Sequence, residues 1–304
     1  MLVELEAYIR LMFLPSKLCT LGLIVCLPFA AAFGQENTAP SLPDIPQLMA
    51  QIVVHEKQVE QVRENYTYTA LQTMQETDPK SGTKKTQTYE LNNFYVNGYL
   101  IRRTIAEDGK LLTNQEREIN DKRVAKAVKR CLKRPHREPV FEALGIRFSR
   151  MLDLVDASNL RREDFFHGRP TLVLDFVGRK DARTRNMDEK IVKSLRGVLW
   201  IDETDREVAH LEVTFDEDFR IGWGLLATIK KGTKLVVEQA PVADGLWLPT
   251  SYHMTMQGKY LVAGRLLAEG SERDYDFKRF NVESLQSKDL QLRPGASLNS
   301  SHLQ

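Results

Sequence analysis

GVLWIDETDREVAHLEVTF, residues 197–215, decides the fold class. Its two ends, 197–201 and 208–215, are rich in β-branched and aromatic residues, which is typical of strands, and the acidic segment between them predicts a hairpin turn. More strand-like segments follow at 224–229, 233–239, 247–256 and 260–280. Adjoining strands with few helices between them pair antiparallel, because parallel strands need a crossover connection each time. The series therefore predicts one large antiparallel sheet of the α+β class.

The chain before this stretch adds helices and further strands. Leu48, Ile52, His55, Val59 and Val62 recur at helical spacing, so they form the predicted core-facing stripe of an amphipathic helix. Period-two patterning and turn signals predict strands at 66–73, 86–96, 99–106 and 171–177, and a helix is predicted at 186–195.

Two predicted strands are apolar at three consecutive positions. These are the segments LVL at 172–174 and LVV at 235–237. Such strands are expected to contact apolar material on both faces. We therefore expect helices to cover one face of the sheet, and curvature or a second layer to cover the other.

The N-terminus has the composition of a secretory signal. Residues 18–33, LCTLGLIVCLPFAAAF, form an uncharged apolar run that follows Lys17 and precedes a polar, proline-containing segment. Pro28 and the shortness of the run argue against a membrane anchor, which needs about 20 apolar residues. We predict a signal over 1–34 that is cleaved after Gly34, a start codon at Met1 or Met12, and export to the periplasm.

The rest of the chain is predicted to hold one domain. A flexible leader is predicted over 35–46, the domain over 47–290 and a disordered tail over 291–304. Removal of the signal leaves Cys131 as the sole cysteine, so an apolar core and not a disulfide must stabilise the domain. The formal net charge of +2 gives no global field that would attract nucleic acid.

A basic helix is predicted over 113–134. Thr113 and Glu116 have the spacing of a capping box, and Pro135 ends the helix. Its cations are Lys122, Arg123, Lys126, Lys129, Arg130, Lys133 and Arg134, and its opposing apolar stripe is Ile119, Val124, Val128, Cys131 and Leu132. One interpretation is a face that docks on an anionic membrane surface or an acidic envelope protein, and the other is a solvated helix face.

Several segments together resemble a known family. Residues 188–213, with WLP at 247–249 and YDFKRF at 275–280, are similar to the LolA-like superfamily of outer-membrane lipoprotein-sorting proteins, and the chain resembles its uncharacterised exported bacterial members. The resemblance implies a curved antiparallel sheet, a half or open barrel, whose concave face is covered by helices and holds acyl chains of a lipid or lipoprotein. The residues expected to line that cavity are Leu172, Leu174, Phe176, Trp200, Leu211, Val213, Phe215, Met254 and Met256. For Trp200, ordinary packing in the core is the alternative.

Residues of catalytic or metal-binding types are scattered. The sequence has neither a His-Glu-x-x-His nor a Gly-x-Ser-x-Gly motif, and the acidic residues at 216–218 follow a strand in what reads as a solvated turn. We therefore predict no enzyme activity, no metal and no cofactor. The favoured hypothesis is a periplasmic lipid or lipoprotein carrier or sensor, and the alternative is a non-catalytic envelope module that docks through the basic helix.

Overall fold

A computed structural model describes residues 41–78, 81–138, 140, 144–221, 227–243, 245–260 and 264–279. The predicted signal over 1–34 and the predicted tail over 291–304 lie outside the described residues. No helix within the described part of the chain is long and apolar enough to cross a bilayer.

Four helices are described. They are α1 (Ile45–Arg63), α2 (Asn114–Leu132), α3 (Phe148–Leu152) and α4 (Met187–Val192). The strands are β1 (Tyr66–Thr77), β2 (Lys84–Val96), β3 (Tyr99–Glu107), β4 (Lys110–Leu111), β5 (Val155–Phe166), β6 (Arg169–Gly178), β7 (Leu195–Asp202), β8 (Val208–Phe215), β9 (Phe219–Ile221), β10 (Ala227–Ile229), β11 (Lys234–Ala243), β12 (Leu246–Tyr260) and β13 (Gly264–Arg279).

The strands form one open antiparallel sheet, which confirms the predicted α+β class. The main order is β4-β3-β2-β1-β13-β12-β11-β8-β7-β6-β5, and the short β9 and β10 attach beside β12. Pairing of β1 with β13 joins the first strands of the domain to the last. The sheet therefore depends on a contact between distant parts of the chain.

Four elements were absent from the sequence prediction, namely the short strands β4 and β9, the strand β5 and the helix α3. The strand β5 reads VDASNLRREDFF and carries charged residues through its middle, so it lacks the apolar alternation of an interior strand. It lies at the edge of the sheet, where charged side chains face water and discourage pairing with another chain. The helix α3 is a single short segment whose Phe148 and Met151 enter the core.

One face of the sheet, called here the inner face, packs against α1, α3 and α4. A cross-strand row on this face runs through Leu174, Leu199, Leu211 and Val237, and these side chains are almost fully buried. The same row continues through Tyr252, Glu272 and Gln72 on the neighbouring strands. Along this row the inner face therefore has an apolar half, from β6 to β11, and a polar half, on β12, β13 and β1, while Met254 and Met256 of β12 extend the apolar surface beside the row.

The helix α1 begins two residues inside the segment predicted as a flexible leader. Asp44 caps it by accepting a hydrogen bond from the Gln47 backbone N–H at 3.3 Å, and Pro46 occupies its first turn, where its missing N–H is not needed. Its buried residues are Leu48, Ile52, Glu56, Val59, Glu60 and Arg63. Polar residues thus occupy half of the face that the helix turns toward the sheet.

The basic helix α2 lies along the free edge of β3. The predicted capping box is present, because Thr113 Oγ1 accepts from the Glu116 N–H and the Glu116 carboxylate accepts from the Thr113 N–H. Asn120 and Arg123 donate to backbone carbonyls of β3, so the helix covers an edge that would otherwise be open. The predicted apolar stripe is wrong at Ile119 and Leu132, which are 61% and 65% exposed, because contact with a strand edge buries only a narrow strip of the helix.

Candidate ligand-binding site

The residues predicted to line a cavity lie together, with one exception. Leu172, Leu174, Phe176, Leu211, Val213, Phe215, Met254 and Met256 are buried in one hydrophobic cluster on the inner face. The two apolar residues Leu48 and Ile52 of α1 belong to the same cluster. The structure therefore brings these predicted residues to the surface that α1, α3 and α4 cover.

Trp200 is the exception, and its assignment to the cavity wall is corrected. Its neighbours Leu199 and Ile201 point into the core, and strand alternation turns Trp200 to the opposite face of β7. There its ring meets the His210 ring edge-on, with centroids 4.6 Å apart, and Phe166 lies beside both rings. Trp200 therefore packs in an aromatic group on the outer face of the sheet.

A row of ionisable residues is buried between α1 and the sheet. Glu56 accepts a hydrogen bond from Gln239 Nε2 at 3.3 Å, and Arg63 donates to the Tyr252 hydroxyl at 3.2 Å. Glu60 accepts from both the backbone N–H and the hydroxyl of Ser149, at 3.0 and 2.8 Å. These contacts tie α1 to β11, β12 and α3 through polar groups, in addition to the apolar packing of Leu48, Ile52 and Val59.

Burial changes the ionisation of this row. Desolvation, followed by the nearby carboxylates of Glu207 and Glu60, raises the pKa of Glu56 to about 8. Desolvation also raises the pKa of Glu60, although its two hydrogen bonds from Ser149 oppose that rise. At neutral pH the Glu56 side chain is therefore held mainly as the neutral acid beneath α1.

The polar half of the inner face continues the same chemistry. Glu272 accepts from Gln72 Nε2 at 2.6 Å and from Arg102 Nη1 at 2.8 Å, so an arginine from β3 reaches across two strands. Asp274 is 5% exposed, and desolvation together with the Glu272 carboxylate raises its pKa well above the usual range. The interior thus holds acids, arginines and amides beside an apolar wall.

Two small cavities flank Arg63. The first has a volume of about 10 Å³ and is lined by Glu56, Glu60 and Arg63 together with Leu211, Val237 and Gln239. The second also measures about 10 Å³ and lies among Arg63, Tyr68, Leu248, Asp274 and Phe277. Each has room for about one water molecule. A larger ligand would enter these two places only if α1 moved away from the sheet.

Asn93 is the least satisfied polar group of the interior. It is 0% exposed, and neither its Nδ2 nor its Oδ1 has a hydrogen-bond partner within the described residues. A buried polar atom without a partner costs about 1–3 kcal/mol. The position is therefore costly for the folded protein.

We expect Asn93→Leu to raise the free energy of unfolding by about 1–2 kcal/mol, because it removes the unpaired amide and keeps a similar side-chain volume. Chemical denaturation of the purified protein measures the change. Asn92→Leu is the matched control, because Asn92 is only partly buried on the other face of β2 and its replacement should change stability little. A loss of stability in Asn93→Leu would show that the amide has a structural partner.

Sequence reasoning missed Glu56, Glu60 and Arg63, although their spacing was informative. The predicted stripe used His55 and Val62, whereas the buried face contains positions 52, 56, 59, 60 and 63. Residues 52, 56, 59 and 63 follow the i, i+4, i+7, i+11 spacing of one helix face. Composition assigns these charged residues to water. Their position on the same helix face as Ile52 and Val59 was the one signal in the sequence that indicated burial.

The cations predicted on α2 divide into two sets. Arg123 donates to Asn120 Oδ1 and to the Arg102 carbonyl, and Arg134 lies over the Tyr99 ring, so these two contact the protein. The side chains of Lys122, Lys126, Lys129, Arg130 and Lys133 are exposed to solvent. No group of three or more His, Cys, Asp or Glu residues within the described ranges is arranged to hold a metal ion.

Comparisons with known proteins give distant structural similarities. No family model matches the chain, and no curated protein matches it. A domain named as an outer-membrane lipoprotein-sorting protein from Vibrio parahaemolyticus is similar at 14% identity and a TM-score of 0.33, with 80% of this chain and 99% of that chain covered. A DUF1329 family protein from Desulfovibrio piger is similar at 13% identity and a TM-score of 0.34, with 79% of this chain and 95% of that chain covered. A LolA superfamily protein from Nitrosomonas europaea is similar at 11% identity and a TM-score of 0.31, with 79% of this chain and 98% of that chain covered.

Proposed function

We propose that this protein is an exported carrier or sensor that holds the acyl chain of a lipid or lipoprotein between α1 and the apolar half of the inner face. The observation that carries the proposal is the contrast between the two surfaces. The sheet presents Leu174, Leu199, Leu211 and Val237 in one row, while the helix above it presents buried Glu56, Glu60 and Arg63. An acyl chain would cover this apolar row better than such a helix does.

The energetics favour displacement of α1 by an apolar chain. Each methylene group that leaves water contributes about 0.8 kcal/mol. Movement of α1 would expose its own Leu48, Ile52 and Val59, a cost that burial of the acyl chain would offset, and it would return Glu56 to water, where the acid ionises freely. The helix is thus suited to act as a lid over the apolar half.

The connections of α1 also suit a lid. Glu64 and Asn65 alone join it to β1, and residues 41–44 before it form no helix or strand. The helix could therefore swing about its C-terminal connection without breaking a strand pair. Two contacts of α1 would break during that movement. These are the pairing of His55 with Glu207 at 3.3 Å and the hydrogen bond that Glu60 accepts from Ser149.

Native mass spectrometry tests the proposal with palmitic acid and with a lysophospholipid that has one palmitoyl chain. We expect the full chain to retain one acyl chain after free lipid is removed. Recovery of empty protein with both probes, at several protein concentrations and pH values, would contradict the proposal.

Replacement of Glu56 by leucine should close the lid more firmly, because an apolar side chain packs against Leu211 and Val237 without an ionisation cost. We expect uptake of palmitic acid by Glu56→Leu at pH 8 to be at least about tenfold weaker than uptake by the wild type. The matched control is Gln58→Leu, which adds leucine to the exposed side of the same helix. Equal uptake by wild type, Glu56→Leu and Gln58→Leu would show that α1 does not control access.

A further inference from the structure

The exposed cations of α2 form one continuous basic face. Lys122, Lys126, Lys129 and Lys133 follow the i, i+4, i+7, i+11 spacing of a single helix stripe, and Arg130 lies beside them. Lys122 pairs with Glu118 at 2.6 Å, and no ion pair within the described ranges involves the other four. Positive charge on this face therefore remains largely uncompensated by the protein itself.

An exposed apolar side chain stands within the basic face. Ile119 precedes Lys122, Lys126 and Arg130 by three, seven and eleven residues, which places all four on one side of the helix. Its side chain is 61% exposed, although β-branched apolar residues are usually buried. A helix that lies on a membrane surface combines cations, which meet the headgroups, with exposed apolar side chains, which enter the lipid.

The helix that carries this face is held rigidly against the domain. Asn120 Nδ2 donates to the Thr104 carbonyl at 3.1 Å, and Asn97 Nδ2 donates to the Arg134 carbonyl at 2.6 Å beyond the last turn. The capping box fixes the first turn. The basic face is thus formed before any partner binds, and no ordering of the helix is required.

We infer that the basic face of α2, with Ile119 at its centre, docks the protein on the surface of a bilayer that contains anionic phospholipids. The headgroup phosphates supply negative charge opposite the lysines, and Ile119 enters the boundary between headgroups and acyl chains. Nucleic acid is a poorer fit, because the face carries no aromatic residue on which bases could stack. This surface lies on a strand edge and shares no residue with the lid proposed above, so either proposal could fail without the other.

Vesicle flotation tests the inference with the full chain. Vesicles of phosphatidylcholine are compared with vesicles made of equal parts of phosphatidylcholine and phosphatidylglycerol. The readout is the difference in binding between the two, because any contribution of residues outside α2 that does not depend on lipid charge cancels. We expect binding to the anionic vesicles alone, and we expect it to decrease as salt shortens the screening length from about 10 Å at 0.1 M.

The test variant is Lys126→Glu, Lys129→Glu and Lys133→Glu combined. Because each cation near an anionic surface contributes about fivefold in partitioning, we expect the anionic-specific binding to fall on the order of a hundredfold. The matched control reverses three other exposed lysines, Lys84, Lys85 and Lys190, and keeps the same net charge as the test variant. An equal loss of anionic-specific binding in both triple variants would show that net charge alone is responsible, and it would overturn the inference of a docking face.

Two more variants keep the inference falsifiable. Ile119→Ser retains every charge, and we expect it to weaken anionic-vesicle binding about fivefold through lost apolar contact. If the Glu variant has a lowered melting temperature, the corresponding Lys→Gln variant replaces it; it removes the same three cations without adding negative charge, so the expected loss is still on the order of a hundredfold. Unchanged vesicle binding in the folded variants overturns the inference, and so does binding of the wild type to polyglutamate beads but not to anionic vesicles.

Discussion

Glu56→Gln is expected to remove about 3–5 kcal/mol from the pH dependence of stability between about pH 5 and pH 8. The pKa of Glu56 is raised to about 8 in the folded protein by burial, whereas an unfolded chain has the ordinary value of 4.5. An acid with a raised pKa favours the folded state fully below its unfolded pKa, and that contribution is lost as pH rises through the folded pKa. We expect the wild-type free energy of unfolding to fall by about 3–5 kcal/mol over this interval because of Glu56.

The glutamine retains the one hydrogen bond that depends on this side chain, since its carbonyl oxygen still accepts from Gln239 Nε2. Chemical denaturation at a series of pH values gives the slope for each protein. Glu60 and Asp274, whose pKa values are also raised by burial, remain in the variant, so the difference between the two slopes reports Glu56 together with its interaction with neighbouring carboxylates such as Glu60. Glu118→Gln is the control, because the Glu118 side chain is 67% exposed. Parallel pH profiles for wild type and Glu56→Gln would mean that Glu56 is hydrated in the folded protein.

The same residue explains where sequence reasoning succeeded and where it stopped. The strand over 208–215 was predicted with its observed bounds, because apolar and polar residues alternate from Leu211 to Phe215 and burial follows the same alternation. In α1 the pattern was incomplete, because Glu56 and Glu60 occupy core-facing positions that composition assigns to water. Only the position of Gln239 and Ser149, which are distant in sequence, makes those carboxylates acceptable in the interior.

Trp200 shows a second limit of the sequence. Its residue type indicated burial, but the sequence segment that contains it is apolar on both sides, so the pattern did not indicate which face it occupies. A register shift between Trp200 and Ile201 in the pairing of β7 with β8 adds to the ambiguity. Shifting a strand by one residue exchanges its two faces, and apolar residues at every position remove the signal that would fix the choice.

The glycine that begins the same segment is expected to be intolerant of any side chain. Gly197 pairs across the strands with Phe176, and a Cβ atom at this position would lie 2.0 Å from the Glu212 carbonyl oxygen and 2.6 Å from Phe176 Cζ. Backbone contact at that distance cannot be relieved by a change of rotamer. We expect Gly197→Ala to lower the free energy of unfolding by at least about 3 kcal/mol, measured by chemical denaturation.

The neighbouring variant Val198→Ala supplies the control, because Val198 is only partly buried on the outer face and its truncation should cost about 1 kcal/mol. The double variant Gly197→Ala with Phe176→Leu separates the two contacts. Removal of the ring relieves the closer side-chain contact, but the Glu212 carbonyl remains, so the leucine should recover little stability in the alanine background. Nearly full recovery would assign the intolerance to the aromatic ring, and an unaltered stability of Gly197→Ala would show that β7 and β8 are spaced more widely at this point. Phe176 and Val213, on either side of Gly197, belong to the apolar half of the inner face. The close approach of β6, β7 and β8 at this glycine therefore also sets the shape of the surface on which the proposed acyl chain would lie.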